Sequence, residues 1–425
     1  MTRPKVIRDA VWGDIDLPPA LVELLDTPEV QRLRGIRQLG TAHLVYPSAN
    51  HTRFEHGLGT CHVAGRIVDG LAALEPEVAL ATRAAALVHD VGHVPFGHTF
   101  EDERRIFPRH DVPERTRRFL GATALGEALR RLGLSDLVLA ALGAGESGGA
   151  AVPPLVRDVV SGTVCADLLD YLARDALFTG IRRSYDERLF RYFAARDGRL
   201  ALRLGKRGLM REDAFSEVIH LLRLRYTLSE RVYFHHAKVA SGALVSKLVE
   251  RAVAAGLRLE DLYPLSDSGL IDLLERRYAP ADAVLGRLVA DLRARRLPKR
   301  AYVLTRQVGE ELQGELVRRF HQDAAQREAV EAELELELGL APGQVIIYCP
   351  EPRMALKEAD ILVELGSGEL ASLDQLELRE VDDLLDKHRS LWKFTVLVAA
   401  DAVPRRREVA EACRRRFGAS TDLAC

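Results

Sequence analysis

The stretch from Arg83 to Glu101, RAAALVHDVGHVPFGHTFE, places imidazoles and a carboxylate directly after an apolar helical segment. A run of alanine, leucine and valine up to Val88 predicts the helix, and His89 and Asp90 follow at once. Since residues four apart lie on one face of a helix, His89 and His93 are expected to point into the same cavity. Imidazole and carboxylate together suit Zn, Mn, Fe or Ni better than Ca. The stretch therefore predicts part of a transition-metal site, with further ligands from elsewhere in the chain.

The composition excludes several classes of protein. The chain has 425 residues, of which 47% are hydrophobic, so it can bury a large core and is long enough for two or more domains. A net charge of -2 gives no global basic field for nucleic acid. No apolar run approaches the length of a membrane span, and the N-terminus lacks the pattern of a signal peptide. Five scattered cysteines fit a reducing compartment. We therefore expect a cytoplasmic protein without a membrane segment.

The pattern of elements predicts a mostly α fold in two parts. Residues 1–295 are expected to form a helical core, with a mobile surface loop over about 143–154, where Gly and Ala are frequent. Residues 296–425 are predicted to form a smaller C-terminal α+β module that ends in an exposed basic helix. The strands predicted in this module are AYVLTR, QVIIYC, ILVEL and FTVLVA, at 301–306, 344–349, 361–365 and 394–399.

Three predicted helices matter for function. The first is EVQRLRGIRQLG, residues 29–40, with Gly40 as its C-cap and a polar face that is by default solvated. The second begins at Arg53, and its glycines allow a neighbour to approach closely: Gly57, Gly59 and Gly65. The third runs from Val156 to Ile181.

Polar residues recur along this third helix with helical spacing. They form one stripe opposite a face of Val, Leu, Ala and Phe, and its members are Asp167, Asp170, Tyr171, Arg174 and Asp175. If the stripe faced water, Asp170 and Arg174 would be an ordinary ion pair worth only tenths of a kcal/mol. The tyrosine and the His89–Asp90 pair favour a stripe that faces a site.

Four residues combine into a candidate metal centre. Two imidazoles and two carboxylates would bind one divalent metal and leave open positions for water and substrate, as catalytic sites do. These residues are His56, His89, Asp90 and Asp167. His56 alone would more often be a core or surface histidine. The spacing does not fit a local zinc finger, so the ligands would come from three helices that meet in a bundle.

The order and spacing of four motifs resemble the HD-domain phosphohydrolases, most closely the branch that hydrolyses deoxynucleoside triphosphates (dNTPs). The motifs are RLRGIRQLG, YPSANHTRFEHGLG, HDVGHVPFGH and ADLLDYLARDALFTGI, which begin at residues 32, 46, 89 and 166. The resemblance runs from about Lys5 to about Ala254, and bacterial members are similar in carrying a C-terminal module like residues 300–400. It implies an HD-domain helical bundle and hydrolysis of a dNTP to deoxynucleoside and triphosphate.

The resemblance also implies roles around the metal. The four residues of the candidate centre would bind Mn, Fe, Ni or Zn, with Mg as an option for the substrate phosphates. His93 and His110 would be the acid–base histidines beside the scissile phosphate, and Arg53 would contact the phosphates. On its sequence alone, His110 would be an exposed loop residue.

The same resemblance implies a nucleoside pocket. Gln38 and Leu39 would border the nucleoside. Tyr171 and Asp175 would hold the sugar 3′-hydroxyl, and the tyrosine ring would leave little room for a 2′-hydroxyl. Deoxynucleotides would therefore be favoured.

A guanine-nucleotide activator site between subunits of a dimer or tetramer is also implied. The residues that match it are Lys5, Val6, Asp26, Gln31 and Arg34. Arg8 departs from the family's asparagine, and Tyr233-Phe234-His235-His236 departs from a Tyr-x-His pattern, so further nucleotide contacts are in doubt there. The alternative is a helix that packs the bundle or a dimer interface.

Two rival functions stay open. Another enzyme, a nucleotidase or phosphodiesterase, could use the same metal site on a different phosphate ester. A nucleotide-sensing or nucleic-acid-binding regulator could use the pocket for a ligand, and the basic C-terminal helix gives weak support for nucleic acid. The intact set of four ligands argues against an inactive site.

Overall fold

The computed structural model describes residues 3–71, 74–145, 151–351 and 356–423. Its helices are α1 Pro19–Leu25, α2 Pro28–Gln31, α3 Arg53–Leu71, α4 Pro76–Val88, α5 Pro113–Leu120, α6 Ala124–Arg131, α7 Ser135–Ala141, α8 Pro154–Ser161, α9 Ala166–Thr179, α10 Glu212–Leu228, α11 His236–Ala254, α12 Asp267–Leu273, α13 Ala283–Arg293, α14 Glu310–Leu316, α15 Ala324–Glu337, α16 Arg379–Arg389 and α17 Arg406–Phe417. Its strands are β1 Lys5–Asp9, β2 Gly13–Leu17, β3 Phe193–Arg196, β4 Arg199–Arg203, β5 Gly205–Lys206, β6 Leu209–Met210, β7 Lys299–Thr305, β8 Val345–Tyr348, β9 Leu362–Glu364, β10 Leu370–Ser372 and β11 Lys393–Val398. The mostly α fold with a smaller α+β part is confirmed. Residues 146–150 of the predicted mobile loop lie outside the described residues.

The centre of the helical part is α3, which packs against α4 on one side and α9 on the other. Glycines make both contacts close, as predicted. A Cβ atom on Gly57 would lie 2.8 Å from the Leu87 carbonyl oxygen, and one on Gly59 would lie 1.9 Å from Asp170 Oδ1. The two helices can therefore bring their polar side chains to α3 within hydrogen-bonding distance.

The helix predicted over residues 29–40 is wrong beyond its first turn. After α2, a 3-10 turn occupies Arg32–Gly35, and Ile36 is extended with φ -119° and ψ 113°. The reason is tertiary, because the Ile36 carbonyl accepts the Arg53 N–H at 2.9 Å and so ties this segment to the start of α3. Gly40 has φ +53° and begins another 3-10 turn instead of capping a helix.

The predicted helix from Val156 to Ile181 is broken in two. It ends as α8 at Ser161, and α9 begins at Ala166 with Cys165 as its N-cap. A Cβ on Gly162 would lie 2.5 Å from the Asp158 carbonyl oxygen, so this tight departure from the helix requires glycine. The break leaves Asp167 in the first turn of α9.

All four strands predicted near the C-terminus form, but they do not belong to one sheet. β7, β11 and β8 make an antiparallel sheet in the order β7-β11-β8. β9 instead pairs in parallel with β4, in a sheet of order β10-β9-β4-β3. A division of the chain at residue 296 stays a prediction, and this second sheet joins strands from both sides of it. The basic helix α17 is exposed on one side only, because Val409, Cys413 and Phe417 are buried in the core of the β7-β11-β8 sheet.

Buried charges connect the loop after α4 to the C-terminal sheet. Arg104 forms a two-pronged pair with Glu250 at 2.7 Å, and its Nη1 lies 3.1 Å from Glu331 Oε1. Glu331 also accepts from Lys247 at 2.5 Å and from the Ile347 N–H at 2.7 Å. This set of side chains packs α11, α15 and β8 against the loop that follows His98.

No helix within the described residues combines the length and apolarity needed to cross a bilayer.

Candidate active site

The candidate metal ligands converge from three places on the bundle. His56 lies on α3, Asp167 lies at the start of α9, and His89 and Asp90 follow directly after α4. The expectation that His89 and His93 share a helix face is wrong, since α4 ends at Val88 and the chain turns, with the His93 N–H donating to the Asp90 carbonyl at 3.0 Å. The turn still directs both imidazoles to one carboxylate, because their Nε2 atoms lie 3.4 and 3.3 Å from Asp90 Oδ1.

Three of the four residues present ligand atoms to a common point. Asp167 Oδ1 lies 2.9 Å from His56 Nε2 and 3.6 Å from His89 Nε2, and the three ligand atoms lie within 4.8 Å of one another. Asp90 is beside them, with Oδ2 3.8 Å from His56 Nε2, but that oxygen is also 2.5 Å from Arg53 Nη1. The structure therefore brings all four together and pairs Asp90 with the arginine.

Hydrogen bonds on the outer nitrogens fix the tautomers of the two histidines. His56 Nδ1 lies 2.8 Å from Asp170 Oδ2, and His89 Nδ1 lies 2.8 Å from the Ala86 carbonyl oxygen. Since these oxygens only accept, each Nδ1 carries a proton and each Nε2 faces the centre, as in metal-binding histidines. Among the described residues, the buried His89 Nε2 has no hydrogen-bond partner. The donor set and its orientation fit a divalent metal.

The charges at this centre are strongly coupled. Burial alone would lower the pKa of His56, but hydrogen bonds with Asp167 and Asp170 raise the pKa to about 10. Burial would raise the pKa of Asp167, and the hydrogen bond with His56 together with the nearby His89 imidazole instead brings that pKa well below its ordinary value. The surrounding carboxylates therefore favour positive charge at this position, which a bound cation would supply.

A second group of histidines lies beside the first. The rings of His93 and His110 stack with centroids 3.5 Å apart, and neither nitrogen of His93 forms a hydrogen bond within the described part of the chain, although Nε2 lies 3.3 Å from Asp90 Oδ1. Nitrogens of His93, His98 and His110 also come within 4.8 Å of one another. Because His110 Nδ1 is already bonded to Glu101, this trio offers fewer free ligand nitrogens than its three rings suggest, and we interpret it as a group for proton transfer. Burial lowers the pKa values of both His93 and His110, which keeps them neutral.

His110 is buried, so its description as an exposed loop residue is wrong. Its Nδ1 lies 2.9 Å from Glu101 Oε2, and Arg115 Nη1 lies 2.9 Å from the other oxygen. Burial would raise the pKa of Glu101, but the hydrogen bond with His110 lowers that pKa far below its ordinary value. The sequence predictions missed Glu101, although it ends the stretch that carries the other histidines.

Arg53 is buried with unused hydrogen-bonding capacity. Its Nη1 pairs with Asp90, while Nε and Nη2 have no partner among the residues described. Gly97, at φ +54°, lies against the guanidinium, and a Cβ there would be 2.4 Å from Nη2. The arginine can donate to an anion placed over the centre.

Two of the residues predicted for the nucleoside, Tyr171 and Asp175, lie on α9, and the Tyr171 ring centroid is 6.5 Å from that of His56. Asp175 is held between His51 Nε2 and Tyr233 Oη, each 2.7 Å from a carboxylate oxygen. Gln38 is bonded through its backbone N–H to the His51 carbonyl, and its side-chain oxygen is buried without a partner in the described chain. Leu39 and Tyr171 are half-buried beside the main core. His51 was not predicted, and Tyr233 was noted only in the segment that departs from a Tyr-x-His pattern.

The residues matched to an activator site do meet on one surface. Lys5 Nζ lies 2.6 Å from Asp26 Oδ2, Gln31 donates to the Leu25 carbonyl at 2.8 Å, and Arg34 Nε donates to Gln31 Oε1 at 2.8 Å. Val6 is 64% exposed beside them. The arrangement leaves a polar surface on which the Arg34 and Lys5 charges are accessible.

Known proteins place the chain in a family. The HD domain profile matches residues 53–175, and the profile of the HD associated region matches residues 187–422. An uncharacterized protein of Methanocaldococcus jannaschii is 31% identical over 278 residues, which cover 64% of this chain and 55% of that protein. The mouse (Mus musculus) deoxynucleoside triphosphate triphosphohydrolase SAMHD1 is 29% identical over 274 residues, which cover 54% of this chain and 41% of that enzyme.

The fold has a solved counterpart. A hypothetical protein from Aquifex aeolicus superposes with a TM-score of 0.71 at 24% identity, over 96% of this chain and 99% of that one. The chain thus spans about half the length of the two curated relatives and nearly all of this structure. The two profile matches and the convergent His and Asp side chains lead to one conclusion: the chain belongs to the HD-domain phosphohydrolase family, with an HD associated region following the HD domain.

Proposed function

We propose that the protein hydrolyses dNTPs to deoxynucleoside and triphosphate with the help of one divalent transition metal. The observation that carries the proposal is the convergence of His56, His89 and Asp167 beside two buried neutral histidines and an arginine with free donors. The similarity to a mouse enzyme named for this reaction supports the substrate class.

A metal held by the four residues of the centre would supply Lewis acidity toward the phosphate and a water of lowered pKa. The chain itself supplies the rest. Arg53 Nε and Nη2 would donate to phosphate oxygens as negative charge develops. The His93–His110 pair would take a proton from the attacking water and return one to the departing 5′-oxygen, with Glu101 holding the His110 ring. The new bond joins the water oxygen to the α-phosphorus, and the bond from that phosphorus to O5′ breaks.

The sugar is held by Asp175 in this proposal, and the preference for deoxyribose comes from the neighbouring Tyr171 ring. The Asp175 carboxylate, fixed by His51 and Tyr233, would accept the 3′-hydroxyl. The Tyr171 ring would lie under the sugar and leave little room at C2′. Gln38 and Leu39 would border the nucleoside, where the unpaired Gln38 oxygen can accept a hydrogen bond.

Activation by a guanine nucleotide is the regulatory part of the proposal. A carboxylate such as Asp26 can accept from the guanine N1 and N2 protons, and Arg34 can donate to O6 or N7. A nucleotide bound there between subunits of a homo-oligomer would favour the assembled state. Lys5, whose Nζ lies 2.6 Å from Asp26 Oδ2, would contact the phosphates of the nucleotide.

The experiment incubates metal-loaded protein with each dNTP, NTP and NMP and separates the products by anion-exchange chromatography. Deoxynucleoside plus triphosphate is expected, from dNTPs only. Release of dNDP plus phosphate, or of dNMP plus pyrophosphate, would contradict attack at the α-phosphorus. Hydrolysis of NMPs would favour a nucleotidase, and binding without turnover would favour a regulator. Asp167→Asn should abolish turnover. Asp136 is an exposed carboxylate on α7, so the control substitution Asp136→Asn should leave turnover unchanged.

A further inference from the structure

The hairpin of β1 and β2 reaches the metal centre through a buried carboxylate. Trp12, in the turn between these strands, donates its indole N–H to Asp170 Oδ1 at 2.6 Å. The other oxygen of Asp170 accepts from His56 Nδ1 at 2.8 Å. Trp12 and Asp170 are 158 residues apart in sequence, and Asp170 is fully buried.

We propose that Trp12 is a positioning residue for the metal centre: by fixing Asp170 it sets the orientation of the His56 imidazole. The inference rests on the proposed metal dependence, in which His56 Nε2 is a ligand. It adds to that function a requirement for the N-terminal hairpin, which lies outside the residues matched by the HD domain profile.

The hydrogen bonds around Asp170 explain why the hairpin matters. Each carboxylate oxygen has two donors: Trp12 and Arg174 Nη2 on Oδ1, and His56 and Arg174 Nε on Oδ2, all between 2.6 and 2.9 Å. The carboxylate therefore has one orientation, and that orientation directs His56 Nδ1–H. Without the indole donor, only Arg174 Nη2 holds Oδ1, and three hydrogen bonds instead of four fix the orientation of the carboxylate.

The hairpin turn is itself fixed by the same network. Asp9 accepts the Val11 and Trp12 backbone N–H groups at 2.9 and 3.0 Å, and it pairs with Arg174 Nη1 at 2.9 Å. Asp9, Arg174, Asp170 and Trp12 thus form a closed ring of contacts. Its two carboxylates and one guanidinium carry a net negative charge. This charge stabilises a metal cation bound at His56 and makes that imidazole a stronger ligand.

A purely structural role for Trp12 makes a different prediction. Its ring also packs on His62 and Phe190, with centroids 5.8 and 6.2 Å away. If packing were its whole role, Trp12→Phe would preserve metal affinity. If the N–H matters, Trp12→Phe should weaken metal affinity while the apoprotein stays folded.

The test measures Mn²⁺ binding to chelator-treated protein by isothermal titration, with far-UV circular dichroism and Tm recorded on the same apoprotein. Trp12→Phe is expected to weaken Mn²⁺ binding about 10- to 100-fold, as removal of such outer partners does elsewhere. The matched control is Trp392→Phe. Trp392 is fully buried, and its Nε1 has no partner among the described residues, so affinity should stay at the wild-type value.

A second replacement keeps the test decisive if Trp12→Phe does not fold. In the Trp392→Phe protein, Trp12 is the one remaining tryptophan of the chain. Biosynthetic incorporation of benzothienylalanine there swaps the indole N–H for sulfur at nearly constant volume. A tenfold or greater loss of Mn²⁺ affinity would support the proposal, and affinity within twofold of the control would overturn it. Failure of the wild-type protein to bind Mn²⁺, Fe²⁺, Ni²⁺ or Zn²⁺ would instead refute the proposed function.

Discussion

Gly59→Ala should destabilise the protein, although alanine is normally the better helix residue by about 1 kcal/mol. The added Cβ would lie 1.9 Å from Asp170 Oδ1 and 2.3 Å from Arg174 Nη2. Restoring even 3.0 Å requires the carboxylate oxygen to move by about 1.1 Å. Its bonds to Trp12 and Arg174, at 2.6 and 2.9 Å, cannot stretch that far.

The magnitude follows from what that movement breaks. Disrupting a buried ion pair costs about 3–5 kcal/mol. After the gain in helix propensity is subtracted, we expect a net loss of about 2–4 kcal/mol in the free energy of unfolding. Urea denaturation of chelator-treated protein, followed by circular dichroism, measures it without a contribution from bound metal.

The same helix offers a matched control. Gly70 also lies on α3, and a Cβ there would meet nothing within 4 Å. Gly70→Ala should therefore leave stability unchanged or raise it by up to about 1 kcal/mol. If Gly59→Ala proved as stable as Gly70→Ala, the argument that Asp170 is rigidly fixed would be refuted.

Three further predictions address the metal, the activator surface and the buried charges. His89→Ala should lose bound metal, measured by elemental analysis, while keeping its helical circular dichroism, and full metal content would exclude His89 as a ligand. GTP or dGTP should stimulate dATP or dCTP hydrolysis by the wild type, and Arg34→Ala should abolish that stimulation with metal still bound. If GTP leaves the initial rates of both proteins unchanged, the activator site is refuted, and the surface that carries these residues serves only in packing. Glu331→Ala should lower the free energy of unfolding by about 3–5 kcal/mol because it leaves Arg104 and Lys247 less neutralised. The exposed Glu411→Ala should leave the free energy of unfolding close to the wild-type value in the same urea assay, and equal losses would contradict the role of burial.

The candidate centre could be predicted because its signals are local. His89 and Asp90 are adjacent, and the polar stripe on α9 has helical spacing, so both can be identified from the spacing of residues within one short segment. The reasoning from a shared helix face failed at His93 because α4 ends before His89 and a turn brings the imidazoles together. Spacing identified these residues, whereas their geometry depends on a backbone turn that spacing does not encode.

Features set by distant contacts could not be predicted from the sequence. The segment after α2 has a helical pattern, but the Ile36 carbonyl pairs with the start of α3 and draws the chain into an extended form. Trp12 gave no signal, because its partner is on another element far along the chain. Glu101 has the residue type and position of a site residue. The sequence does not show that the following loop folds back and brings His110 against its carboxylate.

The parallel pairing of β9 with β4 has a consequence for synthesis of the chain. Arg203 and Glu364, bonded across this pair, are 161 residues apart. At about 5–20 residues per second, a ribosome would add the second strand roughly 8–30 s after the first. Throughout that interval β4 presents an unpaired edge, which is a template for association with other chains. Ribosome-bound intermediates ending before residue 362 should therefore depend on chaperones, and slower elongation should lengthen their exposure.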